Sequence, residues 1–274
     1  MEVNKYVVMP NHLHMVIVIS DGGRINDNGR TQFAPKRPYR WKRQGVVNFM
    51  DKAAKEINSE IVKEYGLNAG ASVVGIAASK DFGLAPEGFK PIDALKGCLS
   101  VVVLGASFPQ EALLKTPVEY TDLRKAMIEK INGIAKNVEK RVKDKGYKAR
   151  AIGGFGGKYV DGKMFGAISL KHAAELAGLG VINRNYLLTN PEYGNLLWLS
   201  AVLTDADLLP DKKAQYIVCD NCNKCVETCP SKALDDPASF GKKECAGTSF
   251  KMANGKLEVA CFLCRKVCPH RFGE

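Results

Sequence analysis

Cysteine is almost missing from the first 218 residues of this 274-residue chain, where Cys98 stands alone. The other eight all lie beyond that point, and the total of nine is odd. An odd count in a chain of this length argues against the disulfide framework of a small secreted domain. No apolar run approaches the ~18 residues that a membrane helix needs. A basic-then-apolar leader is also lacking at the amino terminus, so a reducing cytoplasm is the expected compartment. There is no G-x-G-x-x-G, and no acidic residue is set to meet a ribose, which argues against a nicotinamide site. Acidic residues are in deficit, 29 against 40 basic, leaving a formal charge of +11. Such a surplus suits a tRNA, an acidic partner or solubility alone. With 46% hydrophobic and 25% charged residues the remainder reads as an ordinary globular protein.

The late cysteines carry the chemistry. Cys219, Cys222, Cys225 and Cys229-Pro230 form the run C-x2-C-x2-C-x3-C-P. Cys245 follows, and then Cys261, Cys264 and Cys268-Pro269 repeat the ending. The first three thiolates of such a run wrap one face of a 4Fe–4S cube on a tight loop. The fourth, just before proline, points away and ligates the neighbouring cluster. On that logic Cys219, Cys222, Cys225 and Cys268 hold one cluster, and Cys245, Cys261, Cys264 and Cys229 hold the second. Four-cysteine zinc would leave four thiols over and would not explain two C-x3-C-P endings. Two oxidised clusters on eight thiolates bring about −4, moving the loaded protein nearer about +7. Cys98 reads as a core thiol, because the other eight complete both sets.

Upstream, apolar residues at helical spacing predict a helix over 46–65, stopped by Gly66. Residues 71–77 read as a short buried strand, 92–96 as one helical turn, and 99–105 as the clearest central strand. A long helix is expected over 120–145, with Leu123, Met127, Ile131, Ile134, Val138 and Val142 on one face. A strand over 147–152 runs straight into Gly153-Gly-Phe-Gly-Gly157. Those glycines either let backbone approach a flat or anionic ligand or form a plain flexible loop. Strands alternating with helices make an α/β sandwich, but their order leaves the topology open. His172 either serves a cofactor or acid role or caps a helix; His270, after Cys268-Pro269, is expected to hydrogen-bond near a cluster.

The first forty residues are of another kind. The stretch MPNHLH at 9–14 sets His12 and His14 on one side of an extended strand, as a divalent metal would want. It resembles the REP-associated and IS200-type tyrosine transposases, although the later nucleophilic tyrosine of that family has no counterpart here. Residues 37–44 form a basic patch with aromatics, read as a solvated linker. The expected domains are therefore a transposase-like fragment and linker over 1–44, an α/β domain over 45–212, and a ferredoxin-like domain over 213–274.

Three further segments carry a second resemblance: KHAAELAGLG at 171–180, LLTNPEYG at 187–194 and AVLTDADL at 201–208. With the downstream cysteines they resemble the epoxyqueuosine reductase family over about residues 46–272. The resemblance implies a nitroreductase-like α/β (α+β) sandwich, of the corrinoid-binding type, followed by a ferredoxin-like domain with two 4Fe–4S clusters. It implies cobalamin as a further cofactor, with His172, Gly178, Gly180 and Asn185 as cofactor-binding residues. Its partners would be an electron donor, ferredoxin or flavodoxin, and tRNA. The aspartate that serves as catalytic acid in that family falls on Met164 here, so the resemblance supplies no catalytic residue.

Overall fold

The computed structural model describes residues 57–155, 158–160, 163–216, 219–236, 244–245, 250–251 and 257–273. The transposase-like stretch with His12 and His14, the basic patch, and the start of the first expected helix lie outside the described residues.

Four strands make the central sheet: β1 (Val73–Ala78), β2 (Ser100–Ser107), β3 (Ala149–Ile152) and, later in the chain, β8 (Leu197–Thr204). Their order is β1-β2-β8-β3, and every pairing is antiparallel. The topology left open by the sequence is thus an antiparallel sheet with the two eight-residue strands at its centre. β2 is buried along nearly its whole length, which explains its unbroken Val-Val-Val-Leu run. Both faces of it are covered, so alternation has nothing to alternate with.

Helices provide that cover. On one face lie α1 (Ser59–Asn68) and the 28-residue α3 (Pro117–Asp144). Val102, Leu104 and Ala106 of β2 pack there with Ile131, Ile134, Val138 and Val142 of α3. α3 starts at a capping box, in which Thr116 and Glu119 satisfy each other's backbone N–H, with Pro117 at its first position. The other face takes α4 (Leu170–Leu176), whose Ala173 and Ala174 meet Val101 and Val103. A single turn, α2 (Pro91–Ala94), sits between β1 and β2 where one helical turn was expected.

Two expectations are corrected. The first helix begins at Ser59, where the Asn58 side chain accepts the Ile61 N–H at 2.9 Å and caps it; it does not stop at Gly66 but runs to Asn68, and the chain turns at Gly70, whose φ is +101°. Gly66 is a packing residue instead: a Cβ there would sit 2.6 Å from Val74 and 2.7 Å from Leu104. The strand expected over 147–152 begins at Ala149, because Lys148 is held by the Asp205 carboxylate, 2.8 Å from its N–H.

After β3 come two small hairpins, β4 (Lys158–Val160) with β5 (Lys163–Phe165), and β6 (Val181–Ile182) with β7 (Leu188–Thr189). Beyond β8 the chain returns along the open edge of β1. Asp211 exchanges backbone and side-chain hydrogen bonds with Ile76 and pairs with Lys63 of α1 at 2.7 Å. That strap blunts an edge that would otherwise offer unpaired N–H and C=O groups. The cysteine segment follows, with two one-turn helices, α5 (Lys224–Glu227) and α6 (Leu263–Lys266). Between them lies the short ladder of β9 (Phe250–Lys251) and β10 (Leu257–Val259). Among the described residues no helix is long and apolar enough to cross a membrane.

Candidate metal centre

The eight late thiols fall into two groups of four. Cys225 feels the charges of Cys219 and Cys268, and Cys268 those of Cys219 and Cys222. Cys245 feels Cys261 and Cys229, and Cys264 feels Cys245, Cys261 and Cys229. Each group therefore combines three cysteines from one part of the segment with one from the other. α5 and α6 pack on each other to bring this about, and Cys225, Cys229, Ala233 and Leu234 form a small core of their own between them.

The first group lines a small pocket, about 20 Å³ in volume, together with Asn183, Arg184, Asn185, Asp220 and His270. Asn221 and Asn223 both take the left-handed conformation, φ 58°, inside the run. Asparagine tolerates that conformation, and turns of this kind aim successive N–H groups at one point, the usual cradle for an anion or an iron–sulfur core. Asp220 accepts the N–H of Cys222 at 3.1 Å and fixes the start of the loop. Among the described residues no three Cys, His, Asp or Glu side chains close on a single-ion site.

Burial is uneven. Cys222 is exposed and Cys225 and Cys229 are buried. Burial pushes the Cys264 thiol up to about 12, against the opposing charge of Arg265. It also raises Cys245, Cys225 and Cys268. Cys229 differs: burial pushes it up, but hydrogen bonds from the Ser231 hydroxyl and from the backbone at Ser231, Ala233 and Leu234 outweigh that and lower it. Lys232, at φ 58°, makes the turn that gathers those groups. Neutral buried thiols are costly to ionise alone, and metal coordination is what deprotonates them.

The α/β unit reaches into this segment at several points. Asn185 is buried, accepts the Leu187 N–H at 3.1 Å, and has its amide 3.5 Å from the Cys264 carbonyl. Asn195, 1% exposed, donates to the Arg265 carbonyl at 3.3 Å and hydrogen-bonds Cys268. The His270 backbone N–H also bonds Cys268, while its ring Nε2 is buried without a partner. Arg184 donates to the carbonyls of Asp235 and Asp236. Sequence reasoning missed Asn195, Arg184 and Arg265. The LLTNPEYG segment points to the first only by its proximity to Gly194, whose φ of +53° lets Arg271 lie against it.

Other expected site residues have structural duties. Gly153 and Gly154 approach the protein's own α3, where the Gly154 N–H donates to Asn132 at 2.8 Å. A Cβ at Gly178, φ +75°, would stand 2.5 Å from the Lys212 carbonyl oxygen, and one at Gly180 2.5 Å from that of Thr189. His172 is exposed and lies 2.6 Å from the Ser169 hydroxyl, at the start of α4. Met164 sits in β5 opposite Tyr159. Cys98 is a core thiol, 4% exposed and donating to the Ser100 carbonyl.

No family model matches the chain. It is 26% identical over 209 residues to the epoxyqueuosine reductase of Lactococcus garvieae, covering 68% of this chain and 56% of that one. To the enzyme of Gloeobacter violaceus it is 29% identical over 196 residues, 64% and 57% of the two chains. With the Bacillus subtilis enzyme the match is 29% over 119 residues, 40% and 31%. The chain thus spans between about a third and three fifths of these curated relatives. Among solved structures, an epoxyqueuosine reductase with a tRNA stem loop superposes with TM-score 0.53 at 23% identity, over 77% of this chain and 64% of that one. A catabolic reductive dehalogenase gives 0.61 at 18% identity, over 80% and 32%. By fold and by sequence, the chain is similar to epoxyqueuosine reductases, and it shares its mixed α/β fold with reductive dehalogenases.

Proposed function

We propose that the chain is an iron–sulfur oxidoreductase of the epoxyqueuosine reductase kind. It would carry single electrons through two 4Fe–4S clusters to a substrate or corrinoid on the α/β domain. The observation that carries the reading is the division of eight thiols into two crossed groups of four, one of them around a lined pocket with left-handed asparagines. Cys219, Cys222, Cys225 and Cys268 would hold one cluster, and Cys229, Cys245, Cys261 and Cys264 the other. Bound there, such clusters accept and release one electron each without moving protons or making bonds.

The chain's own residues then do three things. Asn195, Asn185 and the His270 N–H direct hydrogen bonds at the ligand segment, which fixes the thiols and tunes the potential. The small core around Leu234 keeps water from the buried side of the thiols. The edge at Cys222 stays exposed, where a ferredoxin or flavodoxin would deliver electrons.

Cobalamin is proposed on the likeness to the family and its fold. Of the glycines that suggested a flat ring, Gly154, Gly178 and Gly180 close on the protein's own atoms and Gly156 and Gly157 lie outside the described residues, so no step is routed through that cofactor. A tRNA substrate is proposed on the net charge and on the relative solved with a stem loop. The domain division at 44/45 and 212/213, and a cytoplasmic location, belong to the same reading.

Anaerobic reconstitution followed by iron and sulfide analysis tests it. Eight of each per chain, with a broad absorbance shoulder near ~400 nm, is the expected result. A single zinc per chain, or iron that cannot be reduced, would overturn it.

A further inference from the structure

Among the described residues Arg265 is a cation without a paired anion. It is 5% exposed, and its guanidinium lies over the Trp198 ring at 4.8 Å. Its Nη1 is buried with no hydrogen-bond partner, and none of the ion pairs among the described residues includes it. Arg124, on α3, lies over Phe155 at 5.1 Å and also lacks a carboxylate among those pairs. Burial lowers its proton affinity, and the Arg265 charge adds to that. Two guanidiniums so placed repel each other. A buried cation needs a counter-charge, and an aromatic face returns only part of its lost hydration.

The chain supplies one candidate. Arg265 follows Cys264 directly and its charge bears on that thiol, as Lys171 bears on Cys245 of the same set. A 4Fe–4S core on four thiolates carries about −2 when oxidised and about −3 when reduced. A fixed cation in a poorly screened site favours the more negative state.

We infer that Arg265 is a positioning residue for charge: pinned on Trp198 beside Cys264, it raises the reduction potential of the cluster held by Cys229, Cys245, Cys261 and Cys264 above that of its neighbour. This rests on the proposed cluster binding. Hydrogen bonds and exposure differ between the two sets as well, and the Arg265 charge adds to those differences. Trp198 belongs to β8, at the centre of the sheet, so the cation is anchored on the α/β unit. The step itself is one electron from a one-electron reductant onto cluster iron, with no bond made and no proton taken. An electron entering at either cluster then comes to rest on the second.

The test is a redox titration of the anaerobically reconstituted full chain, with dithionite as reductant and electron paramagnetic resonance as readout. Cys229→Ala identifies which of the two reduction steps belongs to the second set. Arg265→Gln should change the reduced-to-oxidised ratio of that step at fixed potential at least tenfold toward oxidised, about 59 mV for one electron. The other step should move far less, and Arg265→Lys should restore most of the loss. Arg124→Gln, at a half-buried position, should shift the same step in the same direction by a smaller factor. Both steps unchanged, or both moved equally, in a protein that keeps eight irons would overturn the inference and leave the cluster reading intact. Should Arg265→Gln fail to hold iron, an unchanged potential in Arg124→Gln overturns it. Wild-type protein without two reducible clusters would sink both.

Discussion

Tyr120 and Phe262 stack face to face, with ring centroids 4.1 Å apart and planes 17° from parallel. Tyr120 belongs to the first turn of α3, and Phe262 lies between Cys261 and Cys264. Next to this pair the Ala260 N–H donates to the Thr121 hydroxyl at 2.9 Å. The second thiol group is thereby seated on the longest helix of the α/β unit, and Phe262 belongs to that unit's core.

Phe262→Ala should therefore act on two properties at once. Removing a 6%-exposed ring from a packed site costs about 3–5 kcal/mol of stability. Loss of the stacked partner adds about 0.5–1.5 kcal/mol of that kind of contact. The loosened 260–264 stretch should release iron from its cluster faster than from the other. Chelator-challenge kinetics on the reconstituted protein would read this; equal release from both clusters would show that the stack does not hold the ligand loop.

Two helix glycines should respond in opposite directions to alanine. Gly66 of α1 faces β1 and β2, and a Cβ there would overlap Val74 and Leu104. Gly66→Ala should cost about 1–3 kcal/mol through overpacking. Gly133 of α3 is exposed with open space around its Cβ direction. Gly133→Ala should stabilise by about 0.4–1 kcal/mol, because it removes freedom from the unfolded chain. Thermal unfolding of both variants decides the matter, and a destabilised Gly133→Ala would mean that α3 needs its glycine for something not seen in its packing.

The same two glycines mark where the sequence was legible. The period of Met127, Ile131, Ile134, Val138 and Val142 is local information, and α3 follows it. The run in β2 likewise announces a strand covered on both faces. Gly66 could not be read correctly, because its reason lies on Val74 and Leu104, residues that only the folded sheet brings beside it. Sheet order was hidden for the same cause: β8 enters between β2 and β3 from about fifty to a hundred residues away. At the site, the cysteine spacing shows through because a tight loop writes its ligands into consecutive residues. Arg265 and Trp198 meet across 67 positions, and neither carries a local pattern that announces the other.

Crossing of the ligand sets can be tested by one thiol. Cys229 follows α5, close in sequence to Cys225, yet it acts on Cys245 and Cys264. Cys229→Ala should bleach about half of the ~400 nm absorbance and leave the cluster of Cys219, Cys222, Cys225 and Cys268 reducible. Loss of that cluster instead would mean that each run serves its own cluster.

Cobalamin binding needs a variant that reports on the ligand and not on the fold. Gly180 is unsuitable, since any side chain there drives into the Thr189 carbonyl and would unfold the β6–β7 hairpin first. His172 is better placed: it is exposed, and its ring nitrogen contacts only the Ser169 hydroxyl among the hydrogen bonds of the described residues. His172→Ala should change stability by less than about 0.5 kcal/mol, as surface substitutions generally do. If the ring of a corrinoid lies along α4, the same variant should weaken its binding several-fold, with the eight irons untouched. Titration calorimetry and the visible spectrum of cobalamin, at concentrations up to about a hundred micromolar, give both answers; at that level a ligand with Kd near 1 μM stabilises its protein by about 2.7 kcal/mol. No heat and no spectral change with wild-type protein would remove the corrinoid from the proposed chemistry. The clusters would then deliver electrons directly to a substrate or a docked partner, and α4 would be a structural helix with a capping histidine.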